Sequence, residues 1–112
     1  MELPEKVAKA AENVKKAIFR VAGARYLLLE HPYLALELLG AAVTSMTLAH
    51  ERTGLAKARE EARKLGEAYS RLEEQLLMGI YDRVKPDLRP VKEEIDKSLD
   101  RLVTLYKELV TG

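Results

Sequence analysis

The nearest approach to a catalytic motif in this 112-residue chain is the run Arg25-Tyr26-Leu27-Leu28-Leu29-Glu30-His31. It also has a purely structural reading: Arg25 as a solvated or ion-paired side chain, and His31 as a helix-end residue before Pro32, favourable to the helix dipole. Glu37 is the second candidate. It is the single charge in the apolar stretch 33–49, and a carboxylate in such surroundings must find a partner or take a proton. Groups perturbed in that way often mark functional sites. The structural alternative pairs Glu37 with a neighbour such as Arg25, or sets it at the edge of the buried face.

Metal and phosphate chemistry find little to work with. Helical bundles can hold paired metals through Glu-x-x-His motifs, but Leu28 and Thr47 stand three residues before the two histidines, His31 and His50. There is no cysteine, which removes disulfides, thiolate catalysis and cysteine-ligated metals. The six glycines are scattered singly rather than gathered in a phosphate-cradling loop. No metal and no cofactor are expected.

The Arg25…His31 run resembles, loosely, the Arg-x4–6-His signature of HEPN ribonucleases, small helical bundles that act as metal-independent dimers. The resemblance implies that Arg25 would stabilise phosphate and His31 would serve as acid or base. In the family the motif lies in the later helices, whereas here it closes the first.

Basic residues gather modestly at Arg52, Lys57, Arg59, Arg63 and Lys64, with Glu60 and Glu61 among them. A nucleic-acid face calls for stronger bias and interleaved aromatics. The tyrosines, like Phe19, fall mostly at seam or boundary positions and read as packing. Nineteen basic against eighteen acidic residues leave a net charge of +1. That balance holds along the chain, at +2, −1, +1 and −1 over residues 1–30, 31–54, 55–85 and 86–112. No field is available to draw in nucleic acid or an anionic membrane.

The elements that must position these residues follow from periodicity and breakers. Val7, Val14, Val21 and Leu28 recur every seventh residue after Pro4, a heptad stripe that Glu30-His31-Pro32 ends. A second helix is predicted from Pro32 to about Thr53, capped by Gly54. A third runs from about Leu55 to Val84, with Leu55, Ala58, Ala62, Leu65, Tyr69, Leu72, Leu76 and Ile80 as its seam. Lys85-Pro86 breaks it, and Pro90 opens a fourth carrying Val91, Ile95, Leu99, Leu102, Tyr106 and Leu109. No stretch alternates with period two. Short connections make sequential helices antiparallel, so the expected fold is all-α: one domain, 1–112, an up-and-down antiparallel four-helix bundle. Exposed Glu-to-Lys/Arg pairs at i, i+4 (Glu2–Lys6, Glu5–Lys9, Glu12–Lys16, Glu60–Lys64, Glu67–Arg71, Glu93–Lys97) give the helices weak support.

The second helix differs from the others in being apolar around most of its circumference. A helix of that kind is buried on several sides or spans a membrane. Glu37, Thr44, Ser45, Thr47 and the flanking His50-Glu51-Arg52 favour burial. Ala41, Ser45 and Ala49 form a small-residue row at i, i+4, i+8 with Gly40 beside it, suited to close approach of another helix. That helix belongs either to the same chain or to a second copy at a two-fold interface.

Taken whole, the chain resembles a family of short helical proteins of unassigned activity from hyperthermophilic archaea of the Thermococcales type. The PEKVAKAAENVKKA opening, the EHPYLALELLGAA junction, the single Asn13 and Gln75 and the absence of Cys carry this resemblance. The last of these also match the compositional trend of hyperthermophile proteins. The resemblance implies a compact helical fold and lends no functional residues. The expectation is a cytoplasmic, non-enzymatic helical interaction or scaffold protein that forms a homodimer through Gly40, Ala41, Ser45 and Ala49. It has no membrane or nucleic-acid partner, and a further protein partner is left open. Two alternatives stand beside it: an HEPN-like metal-independent ribonuclease, and a helical subunit of an RNA-containing assembly resembling the small subunits of type III CRISPR effectors.

Overall fold

The computed structural model describes residues 4–112. It is an all-α, up-and-down four-helix bundle, with α1 at Glu5–Leu27, α2 at Pro32–Thr53, α3 at Ala56–Tyr81 and α4 at Arg89–Thr111. The helices form a ring in which α1 packs on α2 and α4, and α3 packs on α2 and α4, with no approach across the diagonals. The result is a rod of 55 × 21 × 17 Å. Because neighbours run antiparallel, the α1–α2 and α3–α4 connections share one end, hereafter the loop end.

Local chemistry sets the boundaries. Pro32 occupies the first turn of α2, where its missing N–H would have no intrahelical partner anyway. Gly54 ends the helix in the left-handed region at φ 70°, its N–H donating to the His50 carbonyl at 2.7 Å. The third helix stops three residues before Val84. The Asp82 N–H donates to the Met78 carbonyl at 2.9 Å, and Arg83 then adopts φ 55°, a left-handed turn that terminates α3 without a glycine.

The heptad stripe of α1 enters the core as expected: Val14, Val21 and Leu28 are buried, and Val7 is half-buried. The seams of α3 and α4 are rotated from the expected ones. Glu61 and Ala68 take core positions on α3, while Tyr69 and Ala62 flank the core and Ile80 is exposed. On α4 the buried register is Val91, Ile95, Ser98, Leu102 and Leu105, with Leu99, Tyr106 and Leu109 half-buried beside it. Both helices therefore turn small or polar side chains toward each other, a choice that hydrophobic periodicity does not record.

Side-chain size then sets the spacing of the ring. Small residues on both surfaces (Ala17, Ala24, Ala42, Ser45) make α1–α2 the most extensive pairing, and α3–α4, separated by Glu61, Arg101, Arg71 and Glu94, is the least. Some surface pairs regroup. Glu12 holds Lys15 rather than Lys16, at 2.9 Å. Glu67 pairs with Arg63, and Arg71 reaches Glu94 on α4. Glu5–Lys9 forms at 3.1 Å, and Glu2 lies outside the described residues.

Candidate functional site

Arg25 and His31 do not join in one hydrogen-bonded constellation. Arg25 projects from the last turn of α1 toward α4, where its Nε donates to the Asp96 carboxylate. His31 is exposed at the N-cap of α2, its backbone N–H donating to the Leu27 carbonyl at 2.7 Å. Glu37 is not embedded in apolar surroundings but lies on the exposed face of α2.

The small-residue row of α2 is used inside the chain. Ser45 and Ala49 are 2% and 0% exposed, so neither can meet a second copy. The Arg20 guanidinium on α1 donates to the Ala41 carbonyl at 3.1 Å and to Ser45 Oγ, tying α1 to α2. Gly40 makes room for Tyr69 of α3: a Cβ there would stand 3.2 Å from the ring. Close approach of α1 and α3 thus uses the smallness of this row within the chain, with Ser45 and Ala49 in the core and Gly40 and Ala41 half-buried at its edge. By length and composition α2 could cross a bilayer; here it packs between α1 and α3.

Most of the modest basic cluster is neutralised by carboxylates. Lys57 pairs with Glu108 at 2.9 Å, Arg63 with Glu60 and Glu67, and Lys64 with Glu61 at 3.9 Å. The hydrogen bond from Arg63 holds the Glu60 carboxyl below the usual glutamate range, and the same pair raises the Arg63 guanidinium. Behind this surface sits a partly buried network that the sequence did not reveal. Arg101 Nε donates to both oxygens of Glu61, at 2.8 and 3.1 Å, and Nη2 donates to Ser98 Oγ at 2.9 Å. A groove of about 430 Å³ between α3 and α4 runs beside it. Every buried polar side-chain atom among the described residues has a partner, so this network satisfies itself. No group of histidines and carboxylates among them could hold a metal.

The unusual surface is the loop end. Nine of the eleven large apolar side chains that the described residues expose lie there, leaving only Phe19 and Val110 elsewhere. Tyr26, Leu29, Tyr33 and Leu34 come from the first connection and its flanking turns, at 86%, 76%, 56% and 49% exposure. From the other side α3 contributes an apolar stripe, Leu77, Ile80 and Tyr81, which Val84 continues past the end of the helix. A cleft of about 490 Å³ separates the two connections, with Pro32 and Tyr33 on one wall and Ile80, Val84 and Pro86 on the other.

The α3–α4 connection is built firmly enough to present this surface. Gly79 permits the chain to fold back on α3, since a Cβ there would be 3.3 Å from Pro86 and 3.4 Å from the Val84 carbonyl. The Asp87 N–H donates to Gln75 Oε1 at 3.0 Å, so the one glutamine of the chain pins the returning strand of backbone. Asp87 in turn accepts from the Arg89 backbone and guanidinium, which holds its carboxyl below the ordinary aspartate range. Sequence reading assigned Ile80 and the tyrosines to packing; Tyr69 and Tyr106 do flank the core, whereas Ile80, Tyr26, Tyr33 and Tyr81 are exposed at this end. Their clustering next to both connections was the available sign that they cover an end instead.

Comparisons with protein-family models, with curated proteins and with solved structures each give no match.

Proposed function

We propose that this chain is a non-enzymatic helical interaction protein that self-associates, a cytoplasmic module of hyperthermophile type. One observation carries the reading: the concentration of exposed apolar side chains at the loop end, against a surface that elsewhere is charged and ion-paired. Large exposed apolar patches on folded chains mark contact surfaces. The absence of catalysis is supported by Arg25, which is engaged with Asp96 on α4, and by Glu37, which stands in solvent.

Sedimentation velocity over low to high micromolar concentration tests the association, and a species of twice the chain mass is expected. A strictly monomeric protein across that range contradicts the reading. The non-enzymatic half is tested by incubation with single-stranded RNA without added metal, which should leave the RNA intact. Cleavage lost in both Arg25→Ala and His31→Ala, with helicity preserved, would establish a nuclease instead.

A further inference from the structure

We infer that the α3–α4 side of the ring is an ion-latched edge. The two helices part from the tip opposite the loop end, hinged at their pinned connection, while the other three sides stay closed. Ionic strength sets how readily the edge opens, whether or not the chain self-associates.

Three ion pairs join α3 to α4: Lys57–Glu108 at 2.9 Å, Glu61–Arg101 at 2.8 Å, and Arg71–Glu94. Their α4 members, Glu94, Arg101 and Glu108, stand one heptad apart and form a single stripe toward α3. Signs alternate along both helices, so each charge finds its opposite in this register. Glu60, Lys64 and Asp100 line the same seam, which makes it the side of the ring richest in charge. Attraction between charges that water can reach is weak and is screened by salt. Apolar contacts of the kind that close the α1–α2 side carry no such dependence.

The seam is also incompletely filled. The groove of about 430 Å³ lies along it toward the open tip, and a second hollow of about 220 Å³ follows toward the loop end, with Lys64 and Arg101 bordering both. Just inside are Ser98 and Leu105, which are buried. Side chains beside such hollows touch water instead of one another, and low local packing marks where a fold opens first.

Parting here unfolds neither helix, because α3 still rests on α2 and α4 on α1. At the loop end the Asp87–Gln75 hydrogen bond and the seat of Pro86 on Gly79 hold the connection to α3. That end is the hinge, and Lys57–Glu108 at the far end is the pair that must break first.

Because the chain has no cysteine, an introduced thiol reports alone. Two buried serines give matched positions: Ser98 borders the α3–α4 seam and accepts from Arg101, and Ser45 lies in the α1–α2 seam and accepts from Arg20. The test measures alkylation of Ser98→Cys and Ser45→Cys by uncharged iodoacetamide, each rate divided by that of the same variant unfolded in guanidinium. Circular dichroism confirms that each keeps its helicity. An arginine stands beside either thiol, so salt acts alike on their intrinsic reactivity.

Ser98→Cys should react at least about tenfold faster than Ser45→Cys, as expected where local opening outruns global unfolding. Raising sodium chloride from about 0.02 M to about 1 M, where the screening length falls to about 3 Å, should speed Ser98→Cys and leave Ser45→Cys unchanged. Adding Lys57→Glu sets like charges against each other about three turns from the thiol. It should speed Ser98→Cys roughly two- to fivefold, the scale of one exposed pair, and adding Glu108→Lys as well should restore the slower rate. Equal protection of the two thiols would show that the seam opens only with the whole bundle, and overturns the proposal. Fast reaction at Ser98→Cys that ignores both salt and the charge reversal overturns it too, since the edge would then open without an ionic latch.

Discussion

Glu61 of α3 and Arg101 of α4 meet across the most loosely packed side of the ring, the guanidinium Nε serving both carboxylate oxygens at 2.8 and 3.1 Å. Glu61 is 7% exposed, and Arg101 supplies its two hydrogen bonds, with the Lys64 ammonium further off at 3.9 Å. Replacing Arg101 by Met should cost about 1–3 kcal/mol, the penalty of leaving a buried polar group unpaired. Removing both charges together, as Glu61→Leu with Arg101→Met, should recover most of the loss, because a buried pair is often no better than well-packed apolar side chains. Denaturant midpoints of the singles and the double close the cycle; equal losses in single and double variants would show that the pair itself is what stabilises the seam.

The rotated seam separates two leucines that periodicity treats alike. Leu72 is fully buried, and Leu72→Ala should cost about 2–5 kcal/mol. Leu99 only flanks the core, so Leu99→Ala should fall in the ordinary range of about 0.5–2 kcal/mol. Equal destabilisation by the two would return Leu99 to the core and contradict the observed register.

Arg83 holds a left-handed backbone that glycine adopts freely. Arg83→Gly should therefore raise stability by about 0.5–1 kcal/mol, the part of the left-handed strain that exceeds the greater flexibility of glycine in the unfolded chain. Arg83→Val, branched at Cβ, should lower it. Thermal melts of the three proteins give the order directly, and a Gly variant below wild type would mean that the arginine side chain contributes more than its backbone costs.

The Glu60 carboxyl lies below its ordinary value because Arg63 hydrogen-bonds the ionised form. A lowered folded-state value means that the contribution is present above the unfolded glutamate value and fades as pH falls through the folded one. An NMR titration of the Glu60 side chain should thus show a midpoint below the glutamate norm of 4.5, moving upward in Arg63→Gln. No upward movement would detach the shift from Arg63.

How far the residues announced this molecule differs by element. Pro32 and Gly54 mark both ends of α2 because each has a backbone property that no side-chain context overrides. The end of α3 was misplaced because Arg83 takes a conformation its residue type disfavours, in a connection that Asp87–Gln75 and Pro86–Gly79 contacts fold back on α3. Glu61 and Ser98 lie outside the predicted seams, since polarity is normally a surface signal, and their burial is made tolerable by Arg101, which lies on a different helix from Glu61. The small-residue row was legible as a close-contact surface. Which helix it contacts is not written in α2 but in Arg20 and Tyr69, on its neighbours.

The rod also has a direction. Opposite the loop end, α1 begins and α4 finishes side by side, and the surface there is edged by Glu5, Lys6, Lys9 and Arg52. Exposed large apolar side chains are concentrated at one tip, and charged ones edge the other. Were the loop ends of two copies to pair about a two-fold axis, the opposite tips would point outward and assembly would halt at a pair instead of lengthening into a fibre. The described chain starts and finishes at the tip away from the loop end, so a tether joined beyond Gly112 leaves the loop end uncovered.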